Sequence, residues 1–230
     1  MKEMLSHSTF FGVMISVLSY ELGVILKKKW NHPLVNPLLF STCAVILVLL
    51  LLKVDYKTYN EGAKYLSYLL TPATVCLAIP LYEQLEQLKN NMKAIMAGIL
   101  SGILTSLTCV LALALLFHLN HKEYVTLLPK SITTAIGMGV SEELGGIVTI
   151  TVAVIIITGV LGNIIAETVC RIFHIEEPIA KGIAIGSSAH AVGTARAMEI
   201  GEIEGAMSSL SIAVTGLLTV IGASIFANFI

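Results

Sequence analysis

Ala94-Ile95-Met96-Ala97-Gly98-Ile99-Leu100-Ser101-Gly102-Ile103-Leu104-Thr105-Ser106-Leu107-Thr108-Cys109-Val110-Leu111-Ala112-Leu113-Ala114-Leu115-Leu116-Phe117 runs without a single charge. A helix of about 20 mostly apolar residues crosses a bilayer, and this stretch is longer than that. Four other segments read the same way. Ile147 to Ile172 holds Asn163 and Glu167 among apolar residues, and Glu204 to Ile230 has no charge after Glu204. Pro33 to Leu52 is built around Val45-Ile46-Leu47-Val48-Leu49-Leu50-Leu51-Leu52, and Ser8 to Leu26 is ended by Lys27, Lys28 and Lys29. The opening Met1 to Phe10 is too polar for the core of a signal peptide, so the first span is expected to be retained.

Composition agrees. Of 230 residues, 56% are apolar and 13% charged, against about 25% charged in an ordinary soluble domain. Mean hydropathy is +0.87. A soluble globule of this size cannot bury so much apolar surface, which excludes a cytosolic enzyme, a secreted disulfide scaffold and a disordered chain. Fourteen basic and fifteen acidic residues give a net charge of −1, without the basic excess that nucleic-acid binding needs. Cys43, Cys76, Cys109 and Cys170 are far apart and show no metal-ligand spacing. They read as buried free thiols. No metal or cofactor is implied.

Three further segments are apolar but interrupted. Tyr65 to Tyr82 contains Pro72 and Pro80. Val125 to Leu144 contains Pro129, Gly137 and Gly139. Ile179 to Glu199 contains Gly182, Gly186 and Gly193, with Ser187, Ser188, His190 and Arg196 between them. Gly and Pro weaken a continuous helix, and broken backbone in hydrocarbon must be buried in protein or line a cavity. The expected fold is therefore all-α and polytopic, a single domain over 1–230 with about eight membrane segments, three of them discontinuous or re-entrant. Leu70-Thr71-Pro72-Ala73-Thr74 leading to Glu83 echoes Lys130-Ser131-Ile132-Thr133-Thr134 leading to Glu142 at an offset near 59 residues. This similarity points either to an internal repeat or to chance likeness of membrane-type composition. If all eight segments cross, the lysine and arginine count slightly favours cytoplasmic termini.

The polar residues of the interrupted segments are the candidates for chemistry. Arg196 offers a planar fork suited to a carboxylate, and Gly193 and Thr194 are placed to open a half-helix whose N–H groups attract anions. The alternative for Arg196 is a place at the membrane edge, paired with Glu199 or a loop acid. His190 reads either as a proton relay or anion donor, or as a buried, hydrogen-bonded histidine that ties segments together. Lys130, Ser131, Thr133 and Thr134 form a second half-site. Their alternative is that the hydroxyls bond back to helix carbonyls while Lys130 snorkels. Glu142 and Glu143 read as a helix cap or loop, or as a coupling-cation site, a role also open to His190 and Glu199. Gly98/Gly102, Gly182/Gly186 and Gly201/Gly205 are small-residue pairs of the kind that let helices approach closely. Ser187 near His190 lacks an acidic orienter and a nucleophile elbow, so an intramembrane enzyme is not expected.

These motifs together resemble the LrgB/CidB family of bacterial membrane proteins. The likeness is carried by Asn36-Pro37-Leu38-Leu39, Pro72-Ala73-Thr74-Val75 running to Pro80-Leu81-Tyr82, and Pro129-Lys130-Ser131-Ile132-Thr133-Thr134. It continues through Ser141-Glu142, Gly145-Gly146-Ile147, Gly186 to His190, Gly193-Thr194-Ala195-Arg196-Ala197 and Glu204-Gly205-Ala206. It covers the chain from about residue 34 onward. Ala135 and Gly139 stand where the family often has Pro and Glu, and Val192 replaces a frequent small residue.

The resemblance implies a multi-pass protein of the bacterial cell membrane and a separate small LrgA/CidA-type membrane partner. A homo-oligomer is also open. Its first implied function is transport of small monocarboxylates such as pyruvate, glycolate or lactate, as in the plastid glycolate/glycerate translocator that carries a similar domain. Its alternative is holin-like or antiholin-like control of murein hydrolase export and autolysis. The anion contacts expected are Lys130, Ser131, Thr133, Thr134, Ser187, Ser188, His190, Gly193, Thr194 and Arg196.

Overall fold

Residues 10–30, 36–76 and 78–230 are described by the computed structural model, and every regular element among them is helical. The expected span starts at Ser8 and Pro33 lie outside the described residues, as does nearly all of the Met1 to Phe10 opening. So do the side chains of Leu70, Thr71, Thr74, Pro80 and Leu81, which carry part of the repeat and of the Pro72 to Tyr82 motif. The chain divides into two compact units, Met1–Cys76 and Leu77–Ile230.

In the first unit, α1 (Phe11–Trp30) packs on α2 (Pro37–Leu52) and α3 (Tyr56–Ser67), and α4 (Leu70–Cys76) follows. Asn36 starts α2 by accepting from the Leu38 and Leu39 N–H groups at 2.9 and 3.2 Å, with Pro37 in the first turn. Lys53, at φ 50°, ends it. Gly23 lets α1 approach Pro37, where a Cβ would meet backbone at 2.9 Å. Asp55 starts α3 by accepting from Lys57 N–H, a helix that apolar-run reading does not detect.

The second unit holds α5 (Ala78–Glu83), α6 (Leu85–Leu116), α7 (His121–Leu127), α8 (Thr134–Glu143), α9 (Val148–Ile172), α10 (Pro178–Ile200) and α11 (Glu202–Phe226). Among the described residues, three helical stretches are long and apolar enough to cross a membrane: Leu85–Leu116, Val148–Ile172 and Glu202–Phe229. They match three of the five clean spans. The other two fall short among the described residues. α2 has only 16 residues, and α1 carries Glu21 and Lys27 to Lys29 within its 20. α6 starts at Leu85 rather than Ala94, because Glu86, Lys89 and Lys93 continue the helix beyond its apolar part. Its inward stripe is Leu88, Ile95, Ile99, Ile103, Leu107, Val110 and Ala114, the spacing of one helix face. Leu104, Leu116, Ile157, Leu161, Leu217 and Ile221 point outward and are more than half exposed, as a lipid-facing surface requires. That surface also corrects the reading of the thiols. All four cysteines are free, but only Cys170 is buried.

Two interrupted segments double back on themselves. Thr126 in α7 and Ser141 at the end of α8 are fifteen residues apart, a distance a continuous helix would stretch to about 22 Å. Both nevertheless bond to Thr151, whose Oγ1 lies 2.9 Å from the Thr126 carbonyl and 2.7 Å from Ser141 Oγ. So α7 and α8 form a helical hairpin with its tip at residues 128–133. In α10, Ile185 and Ala197 share one buried cluster with Ala166, and a Cβ on Gly193 would lie 3.0 Å from the Ile185 side chain. The reversal is at His190, with φ 42° and ψ −142°, a backbone state costing about 1–3 kcal/mol for a residue with a Cβ.

The two hairpins open at opposite ends of α9. The first opens beside the chain end, where the His121 Nδ1–H donates to the Ile230 carbonyl at 2.7 Å and Tyr124 OH donates to Phe226 O at 3.0 Å. The second opens at the other end of α9, where Lys181 and Glu199 share a cavity with Cys170 and Arg171. Each hairpin precedes a 25-residue helix, α9 or α11. The order of a broken segment followed by a long helix also describes α4, α5 and α6.

The small-residue pairs are packing surfaces. A Cβ on Gly182 would meet the Glu204 carbonyl at 2.5 Å, and one on Gly186 would meet Ser208 Cα at 2.8 Å. The first arm of α10 therefore lies against α11 backbone to backbone.

Candidate functional site at the hairpin tips

The first tip exists because Pro129 supplies no N–H to continue α7, and Thr133, with extended φ and ψ, begins a new helix. α7 is itself fixed by a capping box between Asn120 and Glu123. Between them the chain presents Lys130 and Ser131. Lys130 Nζ donates to Ser131 Oγ at 2.9 Å, and Ser131 Oγ lies 3.1 Å from Ser106 Oγ on α6. Among the described residues no carboxylate forms an ion pair with Lys130.

Lys130 borders two cavities, one on each side of the first arm of α10. The larger, about 810 Å³, lies between α6 and α10 and reaches Ser106, Cys109, Ser131, Ser187 and Ser188. The smaller, about 430 Å³, lies towards α9 and includes Thr158, Ala184 and Ser188. Ser187 and Ser188 donate to the Ile183 and Ala184 carbonyls at 2.7 and 2.6 Å. Each thus offers the cavity lone pairs, since its hydrogen is already committed.

The second tip is anchored to α9. The His190 Nε2–H donates to the Ile155 carbonyl at 2.9 Å, and the residue is 4% exposed. Asn163 Nδ2 donates to the Val192 carbonyl at 2.7 Å. Thr194 Oγ1 lies 2.7 Å from Ser208 Oγ on α11. Arg196 lies away from both cavities that Lys130 borders. It forms ion pairs with Glu167 on α9 and with Glu199 on its own arm.

Over residues 16–229 the chain matches the family described as LrgB-like. The chain belongs to the LrgB-like family. The LrgB-like chain is 36% identical over 207 residues, 90% of each chain, to the holin-like protein CidB of Staphylococcus epidermidis and to that of Staphylococcus aureus. It is 36% identical over 226 residues, 97% of each chain, to the antiholin-like protein LrgB of Bacillus subtilis. No solved structure matches it.

Of the residues the sequence singled out in this LrgB-like chain, the fold brings Lys130, Ser131, Ser187 and Ser188 to one cavity. Thr133 begins α8 without a side-chain cap bond, and Thr134 follows it half-buried. Gly193 is buried beside Ala189 and Ile185, so the half-helix opens at His190 rather than at Gly193. Glu142 and Glu143 are the last two residues of α8 and are exposed. They therefore end a helix rather than cap the start of one. Among the described residues no three His, Cys, Asp or Glu side chains gather as a metal site would require. Sequence reasoning missed Ser106 and Cys109, which lie inside a clean span. The stripe Gly98, Ser101, Gly102, Thr105, Ser106, Cys109 was the available signal, since it places small and hydroxyl residues on one helix face.

Proposed function

We propose that the chain is a holin-like or antiholin-like protein of a bacterial cell membrane, acting on murein hydrolase export and thereby on autolysis. The names of relatives 36% identical over nine-tenths or more of both chains carry this reading. It is a multi-pass, non-enzymatic component that works beside a small LrgA/CidA-type membrane protein. The family match runs across both compact units, which supports treating the whole chain as one functional domain. The test is a deletion strain complemented with this chain, scored for secreted murein hydrolase activity and lysis rate. A shift in both that the wild-type chain reverses is expected. Identical lysis in the deleted and complemented strains, with the partner present, removes the reading.

A second reading, a carrier for small monocarboxylates, is favoured by one observation of its own: the first hairpin's tip and the first arm of the second hairpin bring Lys130, Ser187 and Ser188 to one cavity. Discontinuous helices meeting near the membrane middle are a common way to build a transporter site, and an intramembrane cation without an acidic partner suits an anion. In this reading α6, α9 and α11 cross and both hairpins are re-entrant. Lys130 and Ser131 hold the carboxylate opposite Ser187 and Ser188, while Thr133, Thr134, His190, Gly193 and Thr194 shape the tips. Proteoliposomes given labelled pyruvate, glycolate and lactate under a proton or sodium gradient decide it. Saturable, competable uptake supports a carrier, and dye leakage without saturation rejects it in favour of a pore.

A further inference from the structure

We infer that the cavity between α6 and the first arm of α10 is an aqueous vestibule, open on the face where Asn91 and Glu177 lie, that delivers a small singly charged anion to Lys130. The inference rests on the carrier reading and adds a route and a charge limit to it.

The route follows from the lining. Asn91 stands near the start of α6 and Glu177 immediately precedes α10. Both line the cavity, and so do Ser106, Cys109 and Lys130, four to five helical turns farther along. Asn91 to Cys109 is 18 residues of helix, about 27 Å, most of the thickness of a hydrocarbon core. Along that length α6 turns Ser101, Thr105 and Ser106 to the cavity, facing Ser187 and Ser188. Ser101, Ser187 and Ser188 spend their hydrogens on carbonyls of their own helices and so present lone pairs, which water satisfies and hydrocarbon does not.

The charge limit follows from the cations. Among the described residues that line this cavity, Lys130 is the cation and Glu177, at its outer end, is the acid. Glu177 is held there by accepting from Ala180 N–H at 2.9 Å. Arg196 is occupied by Glu167 and Glu199 and lends no second charge. One amine neutralises one carboxylate, and a dicarboxylate would carry an uncompensated charge to membrane depth.

Cys109 is a built-in reporter, because its thiol is exposed and lines the cavity with Lys130. The experiment uses full-length chain carrying Cys43→Ser, Cys76→Ser and Cys170→Ala, in vesicles of each orientation. The probes are a membrane-impermeant anionic thiosulfonate and a cationic one of similar size. An Asn91→Cys variant marks the open face. The expected result is modification of Cys109 from that face alone, with the anionic reagent favoured. Millimolar pyruvate slows the reaction and malonate does not. Lys130→Met lowers the anionic-to-cationic rate ratio on the order of tenfold and removes the protection. If the reporter chain fails to fold, the unmodified chain serves instead, with labelling of Cys109 resolved from the other three thiols by peptide mass spectrometry. Modification from both faces, none from either, or a rate ratio indifferent to Lys130→Met overturns the vestibule. One-sided, Lys130-dependent labelling without uptake leaves the vestibule standing and rejects the carrier. Saturable uptake with an unreactive thiol does the reverse.

Discussion

Gly159 makes room for His190: a Cβ at position 159 would stand 2.5 Å from the imidazole Cε1 and 2.7 Å from Nε2. The ring uses that space to reach the Ile155 carbonyl, one helical turn back along α9. A strained backbone at residue 190 is thus held by a side-chain bond that depends on an absent side chain on the neighbouring helix.

Gly159→Ala is expected to push the ring off its carbonyl and to destabilise the protein by about 1–3 kcal/mol. His190→Ala should cost a similar amount. Because both act on one contact, the double variant should lose clearly less than the sum. Thermal unfolding of all three proteins in detergent measures this, and full additivity would show that the two residues do not share the contact.

Lys130→Met should separate stability from function. It removes a cation without an ion-pair carboxylate and gives up one bond to Ser131, so the melting temperature should hold or rise. On the carrier reading, uptake of labelled pyruvate into proteoliposomes should fall to background. A lowered melting temperature accompanied by intact uptake would mean that the amine holds the tip together and binds nothing.

Arg196 joins α9 to the returning arm of α10, but its partners Glu167 and Glu199 are 45% and 53% exposed. Exposed pairs contribute about 1 kcal/mol or less, so Arg196→Gln should lower stability by roughly that amount, less in high salt than in low. Either acid replaced alone by Gln should cost less than the arginine, since Arg196 then keeps one partner. Melting curves at two ionic strengths test the order.

The two glycines Gly186 and Gly139 should respond oppositely to alanine. At Gly186 the new methyl meets Ser208 backbone, which cannot swing aside, and a loss of about 2 kcal/mol or more is expected. At Gly139 there is nothing within 4 Å, and better helix propensity should make the change neutral or stabilising by up to about 1 kcal/mol. Equal effects at both positions would contradict the close approach of α10 to α11.

The long helices were readable because lipid demands unbroken apolar length. α9 begins one residue from its expected start, and α11 two. The breaks at Pro129 and near Gly186 to Gly193 were readable too, since Pro and Gly weaken helices wherever they stand. What composition does not encode is direction. A broken crossing and a hairpin have the same residues, and the difference lies in contacts such as Thr126 and Ser141 on Thr151. The bend itself falls on His190, between Gly186 and Gly193, which do not bend; histidine is more tolerant of positive φ than most residues with a Cβ, a weaker signal than glycine. For Arg196, Glu199 was visible three residues on, but Glu167 lies 29 residues away in sequence and meets it only through the return of α10.

The seat of Gly182 and Gly186 on Glu204 and Ser208 has a consequence for biosynthesis. The arm leaves the ribosome before the surface that receives it, because α11 is the later segment. Until α11 is inserted, that arm has no α11 backbone to lie against and Thr194 lacks its Ser208 partner. The packing of that arm is therefore completed only after α11 has been made. A chain stopped before Glu202 would lack Glu204 and Ser208, and with them the surface that Gly182, Gly186 and Thr194 lie against.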